Sequence, residues 1–195
     1  TEANCFNSEV EGMFGMIESS VARFRNTIRD LAAVNESQRG DRNDLTEINL
    51  EETVKDIAES IDHLIKESQA EIEVSGDKSS TFRFSKIHFR SLLYNLISNA
   101  IKYRSPDRLL KIKISSAFKD SGFELAVTDN GLGIREDNLD KIFQLFSRLH
   151  LHVEGSGIGL YIVKKIVSNA GGKVEVKSKV NEGTEFRITL PLQLY

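Results

Sequence analysis

Four separated stretches from Asn95 onwards hold residues that packing alone explains poorly. In the first, Asn95, Asn99, Lys102 and Tyr103 recur at steps of four, three and one, which on a helix sets two amides and an ammonium on one face. Asparagine is a poor helix former that prefers caps, so a pair in mid-helix asks for a reason. Neutral amide oxygens suit Mg²⁺, which keeps much of its water and takes few protein ligands where phosphates supply the others. Taken alone, the same residues also read as a solvated face opposite Leu92, Leu93, Leu96, Ile97, Ala100 and Ile101. The second stretch, Thr128-Asp129-Asn130-Gly131-Leu132-Gly133-Ile134, follows an apolar run. It reads either as a tight turn or as a carboxylate that accepts from an exocyclic amino group while the glycines let the backbone approach a flat base. Such a site favours adenine over guanine, whose carbonyl oxygen would confront the acceptor. A buried acceptor left unpaired costs about 1 to 3 kcal/mol, roughly tenfold to a hundredfold in affinity.

The third stretch, Glu154-Gly155-Ser156-Gly157-Ile158-Gly159-Leu160, opens a predicted helix. A glycine-rich loop there is a natural phosphate cradle, because free N–H groups and the helix dipole favour anions. Its glycines alternate, and Leu149 to Glu154 before them do not read as a buried parallel strand, so it is not a dinucleotide fingerprint. The GxxxxGK[ST] loop is absent from the chain. In the fourth stretch, Ile142-Phe143-Gln144-Leu145-Phe146, the two phenylalanines read as core anchors, and Gly183-Thr184 near the end of the chain reads as a hairpin turn.

The elements that must position these residues follow from period and punctuation. Asn49, with Glu52 three residues on, forms a helix-start pattern ahead of Leu50, Val54, Ile57, Ile61, Leu64 and Ile65 at helical spacing. Short strands are expected around Glu71 to Val74 and Thr81 to Phe84. A long helix is expected over Lys86 to Tyr103, stopped by Pro106. Lys111 to Phe118 and Phe123 to Asp129 alternate apolar and polar residues about a turn, the pattern of a hairpin. A helix over Ile158 to Ala170 should close at Gly171 and Gly172, before a second hairpin built on Val174, Val176, Phe186, Ile188 and Leu190. Hairpins imply antiparallel neighbours, so a two-layer α+β sandwich fits better than a doubly wound sheet. Before all this, Val10, Phe14, Ile17, Val21, Phe24, Ile28 and Leu31 alternate steps of four and three, the seam of a coiled coil or helical bundle. Asn35 to Asp44 holds no large apolar residue and reads as a linker. The expected division is an amphipathic helix and linker over 1–44 and one domain over 45–195.

Bulk properties narrow the function classes. The chain has 195 residues, 39% of them hydrophobic and 28% charged, with a formal net charge of −3. A domain of that size buries enough surface for a core of its own. With no basic excess, binding to nucleic acid or anionic lipid by bulk electrostatics is disfavoured. A lone Cys5 excludes an internal disulfide framework and a multi-cysteine metal site. No apolar run approaches the ~20 residues that span a bilayer. The expectation is a cytoplasmic piece of a longer protein with no direct membrane contact, whether or not its parent is anchored.

In order and spacing, NLISNAIKY, DNGLGI, IFQLF, GSGIGL and NEGT resemble the N, G1, F, G2 and G3 boxes of the ATP-binding domain of sensor histidine kinases, in the superfamily that includes gyrase, mismatch-repair and chaperone ATPases. The resemblance covers about Leu45 to Leu192. It implies the Bergerat fold, a mixed sheet with helices on one face and ATP under a mobile lid. By position, Asn99 would ligate Mg²⁺ with Asn95 beside it, Lys102 would meet the phosphates and Tyr103 would line the pocket. Asp129 would read the adenine amino group, with Gly131 and Gly133 along the base. Gly155, Gly157 and Gly159 would frame lid and phosphates, Leu160 and Thr184 would complete the nucleotide site, and Arg148 would be the lid cation for the γ-phosphate.

Relatives that hydrolyse ATP typically place a Glu one turn before the metal-binding Asn, and here that position is Asn95. An amide cannot take a proton at neutral pH, so transfer to an already nucleophilic imidazole fits better than hydrolysis. The resemblance therefore implies a protein-histidine kinase, with a conformational ATPase clamp or a non-catalytic dimerising nucleotide-binding module as alternatives. Its partners would be its own phosphoacceptor hairpin, a response-regulator receiver domain and, through the N-terminal helix, a second copy. The acceptor pattern of His, acidic residue and later proline is not met at His63, His88, His150 or His152, so the acceptor helix is expected upstream of Thr1. His150 and His152 read as plain lid residues rather than a metal pair.

Overall fold

The computed structural model describes residues 45–76, 81–120, 122–147 and 156–191, with Val21 alone before them. The heptad seam other than Val21, the linker, Arg148, His150, His152 and Gly155 lie outside the described residues.

Strand β1 (Leu45–Asn49) leads directly into helix α1 (Leu50–Ser60). The Asn49 side chain accepts the Glu52 N–H at 3.0 Å, and Glu51 and Glu52 sit in the first turn, where the dipole favours acids. The helical spacing read through Ile65 does not make one helix. It breaks at Ile61 (φ −121°, ψ 22°), where the Ser60 hydroxyl donates to the Ile57 carbonyl at 2.7 Å, competing with the helical ladder. Helix α2 (Asp62–Ser68) follows the break and ends on left-handed Gln69.

Strands β2 (Glu71–Ser75) and β3 (Thr81–Ser85) stand where expected but in different sheets. β3 pairs antiparallel with β1, a strand lying between the predicted linker and the predicted helix and ending on the cap residue Asn49. Helix α3 (Lys86–Lys102) follows, then β4 (Lys111–Lys119), β5 (Gly122–Asp129), helix α4 (Gly159–Asn169), β6 (Lys173–Lys179) and β7 (Gly183–Leu190). The main sheet runs β2-β4-β5-β7-β6, parallel only between β2 and β4.

Period-two alternation gives this sheet one apolar face. Ile112, Ile114, Phe123, Leu125, Val127, Phe186, Ile188 and Leu190 are buried, while the intervening residues include Lys111, Lys113, Glu124, Glu185 and Arg187. The helices cover the apolar face. Phe89, Leu92, Leu93, Leu96 and Ile97 of α3 are no more than 1% exposed, and each fully buried side chain of this size contributes about 1.5 to 3 kcal/mol. The small sheet joins through aromatic packing: Phe82 of β3 stacks on Phe123 of β5 at 3.9 Å between centroids and meets Phe89 edge-on at 5.1 Å. No helix among the described residues is long and apolar enough to cross a membrane.

Candidate functional site

At one end of the sheet, between α3, α4 and the strand ends, lies a cleft of about 570 Å³ including its open mouth, lined by Asn99, Ala100, Tyr103, Asp129, Gly133, Ile134, Ile142, Leu160, Thr184 and Phe186. Six residues singled out from sequence, Asn99, Tyr103, Asp129, Gly133, Leu160 and Thr184, thus meet in one cleft although they come from four separate stretches of the chain.

Asp129 ends β5 and accepts the Gly131 N–H at 2.8 Å. Burial pushes its carboxyl up to about 6, against the opposing pull of backbone hydrogen bonds from Gly131 and Thr184. Between about pH 4 and 6 the folded protein therefore keeps a proton that the unfolded chain has released. The contribution of this group to stability is largest at the acid end and is lost as pH rises through about 6. Measured against Asp129→Asn, the protein should lose on the order of 2 to 3 kcal/mol of unfolding free energy between pH 4 and 7. Parallel urea titrations check this, and a gap that stays constant with pH would mean an ordinary carboxylate.

The turn after Asp129 is stitched on both sides. Towards the α3–β4 loop, the Asn130 side chain donates to the Leu109 carbonyl at 2.9 Å and accepts the Lys111 N–H at 2.8 Å, Arg108 donates to the Gly131 carbonyl at 3.3 Å, and the Leu132 N–H donates to the Tyr103 carbonyl at 2.9 Å. Towards the β6–β7 hairpin, the Asn181 N–H donates to the Leu132 carbonyl at 2.7 Å and the Ile134 N–H to Ser178 Oγ at 2.8 Å. Gly133, at φ +69°, lies against the Lys179 carbonyl where a Cβ would collide.

The remaining candidates stand off the wall. Gly131 is packed behind it, where a Cβ would come within 2.6 Å of the Tyr103 carbonyl oxygen. Asn95 donates to the Ser91 carbonyl at 2.8 Å, and its oxygen would lie 2.5 Å from a Cβ on Gly159, so it sits at the close approach of α3 to α4. Gly157, at φ +72°, packs on the backbone of Phe146 and Ser147. Lys102 is exposed at the end of α3. α4 begins at Gly159 with no side-chain cap.

Phe143 meets Phe186 edge-on at 6.4 Å and packs against the core, as expected of an anchor. Phe146 does not: it is 59% exposed at φ +62°, because the backbone turns left-handed there and points the ring away from the core. Ala100, Ile134, Ile142 and Phe186 were missed as cleft residues. Ile134 and Ile142 stood inside motifs already singled out, whereas Ala100 and Phe186 carried no sign beyond ordinary core periodicity. Among the described residues no group of three His, Cys, Asp or Glu could hold a metal ion.

Residues 84–194 match the family described as histidine kinase-, DNA gyrase B-, and HSP90-like ATPase. The chain belongs to that family. Sensor protein RprX of Bacteroides fragilis (strain YCH46) is 38% identical over 111 residues, 55% of this chain and 21% of RprX, so this chain spans about a fifth of that relative's length. The nucleotide-free catalytic domain of histidine kinase ThkA superposes with a TM-score of 0.66 at 26% identity, covering 76% of this chain and 95% of that one. Full-length ShkA in complex with AMPPNP also gives 0.66 at 26%, over 75% of this chain and 31% of ShkA. The two-layer α+β sandwich is thus the histidine-kinase form of this ATPase fold, and the cleft lies within the matched segment.

Proposed function

We propose that this chain is the ATP-binding catalytic portion of a two-component sensor histidine kinase. It would transfer the γ-phosphoryl of ATP to a histidine on a dimerisation hairpin, for relay to a response-regulator receiver domain. Residues 45–195 form the catalytic unit in this reading, and 1–44 supply part of the hairpin and its linker. The observation that carries it is one half-buried carboxylate, Asp129, lining the cleft with the apolar side chains of Ala100, Ile134, Ile142, Leu160 and Phe186 and with the amide of Asn99. A flat base with an exocyclic amino donor suits that donor set, and an uncapped helix start at Gly159 suits phosphate. The AMPPNP complex of ShkA supports the same choice of ligand.

Asp129 accepts the base amino group, and the apolar residues around it take the ring faces and exclude water. Asn99 offers its amide oxygen to Mg²⁺. The N–H groups at the start of α4, together with Lys102 and, by the motif resemblance alone, Arg148 and Gly155, would balance phosphate charge. Bound MgATP supplies the electrophilic γ-phosphoryl group. Asn95 takes no proton from water. Its carboxamide donates to the Ser91 carbonyl of its own helix and sits where α3 comes close to α4 at Gly159. Transfer to neutral imidazole therefore suits this site better than hydrolysis.

Calorimetric titration tests the reading. ATP should bind at least about tenfold more tightly than GTP, the effect of leaving one buried acceptor facing a carbonyl. Mg²⁺ should strengthen ATP binding, and Asn99→Ala should abolish that gain while leaving metal-free binding within about twofold, since the amide oxygen acts through the metal. Equal affinity for ATP and GTP, or a Mg²⁺ gain that survives Asn99→Ala, would overturn the assignment.

A further inference from the structure

One residue beneath the cleft, Ser178 of β6, is used by none of the steps above. On the helix-facing side of the sheet, cross-strand partners line up in rows. Ile114, Val127, Phe186 and Val176 form one row, and the next towards the cleft is Ile112, Asp129, Thr184 and Ser178. On β5, β7 and β6 apolar residues give way to polar ones in that single step, while β4 stays apolar at Ile112. Val174, Val176 and Ser178 share the inner face of β6, so the third inward position is a hydroxyl where the first two are core.

Ser178 Oγ meets three polar groups: the Ile134 N–H at 2.8 Å, the Gly183 carbonyl at 2.9 Å and Thr184 Oγ1 at 2.8 Å. A serine hydroxyl has one proton and two lone pairs. A carbonyl can only accept, so the Ser178 proton goes to Gly183, and the Ile134 N–H takes one lone pair. The remaining lone pair accepts the Thr184 proton. This is the arrangement in which every contact is a hydrogen bond, and it turns the Thr184 proton away from the cleft. Thr184 is 6% exposed and lines the cleft beside Asp129, its cross-strand partner.

We propose that Ser178 is a positioning residue that holds the Thr184 hydroxyl as an acceptor towards the cleft, and through it sets the polarity with which the wall meets a base. The proposal rests on the nucleotide reading of the site. A wall made of Asp129 and an acceptor-only Thr184 rewards donors on the ligand edge or an ordered water that donates to Thr184. Without Ser178 the Thr184 rotor is free, and that preference is lost.

The test is a double-mutant cycle on ADP affinity, measured by calorimetry in wild type, Ser178→Ala, Thr184→Val and the pair. Ser178→Ala should weaken ADP binding about threefold to tenfold, the worth of one neutral hydrogen bond. In the Thr184→Val background the same change should matter less than about twofold, because its effect passes through the missing hydroxyl. Ser178→Thr, which keeps the hydroxyl on a residue suited to a strand, should restore wild-type affinity. Thermal midpoints recorded alongside separate lost affinity from the lost Ile134 bond. If Ser178→Ala does not fold, Ser178→Cys, a weaker hydrogen-bonding group, runs the same cycle. An equal loss in both backgrounds, or no restoration by Ser178→Thr at an unchanged midpoint, overturns the role of Ser178 while leaving the nucleotide site standing. A wild-type protein that does not bind ADP overturns both.

Discussion

Asp129→Ala should weaken ATP binding by about tenfold to a hundredfold and erase the preference over GTP. A hydrogen bond to a charged group contributes roughly 1.5 to 3 kcal/mol, and a base seated in the cleft would itself shield that bond from water. The substitution also strips the Gly131 N–H of the carboxylate oxygen it donates to at 2.8 Å, loosening the turn that carries Gly133. Asp129→Asn separates the two effects. Its amide oxygen can still accept from Gly131, so the turn is held while the charge is gone. At neutral pH the Asn variant should also be the more stable protein, because the wild type pays for a partly desolvated carboxylate ionised above a pKa of about 6. Titrations of ATP and GTP against the three proteins decide the matter. Unchanged ATP affinity in Asp129→Ala would remove this carboxylate from base recognition.

Gly183→Ala should be among the most damaging single changes in the domain. Gly183 starts β7 at φ +129°, a region that side chains rarely enter, and its Cβ would collide with the Asp129 carbonyl oxygen and come within 2.8 Å of the Asn130 Cα. Both obstacles are backbone, so neither can rotate away. Left-handed strain alone costs about 1 to 3 kcal/mol, and the clash adds to it. A loss of about 3 to 4 kcal/mol lowers the melting temperature of a domain this size by roughly 6 to 16 °C. Because the collision is with the residue proposed to read the base, nucleotide affinity should fall with stability. Gly171 is the control. It too has positive φ, at +72°, but a Cβ there meets nothing nearer than 3.7 Å, so Gly171→Ala should cost about 1 kcal/mol and leave binding intact. Thermal melts followed by circular dichroism compare the two, and equal costs would show that the contact with Asp129 is not the cause.

Local pattern was enough for the elements whose pattern is long. The alternation of Lys111 to Phe118 and Phe123 to Asp129, and the 3.6-residue period over Lys86 to Tyr103, foretold β4, β5 and α3 to within a residue or two. β1 was not legible: Leu45–Asn49 buries one residue, Ile48, and owes its strand state to β3, whose Phe82 is held by Phe123 of β5. The break at Ile61 and the outward turn of Phe146 were hidden for a related reason, since both keep the spacing of residues that pack inward.

The motifs Asn95-to-Tyr103, Asp129-to-Ile134 and Ser156-to-Leu160 were determined by sequence, because residue identity and spacing along one chain are enough to recognise them. That Asn99, Tyr103, Asp129, Gly133, Leu160 and Thr184 line one cleft is a tertiary fact. So is the row of Asp129, Thr184 and Ser178, which depends on how β5, β7 and β6 register. A slip of one residue would turn each of those side chains to the other face of the sheet, and register is chosen by burying Val127, Phe186 and Val176 in the adjacent row. Hydrophobic packing distant in sequence therefore decides which hydroxyl stands beside the carboxylate, and no local pattern in β6 marks Ser178 for that place.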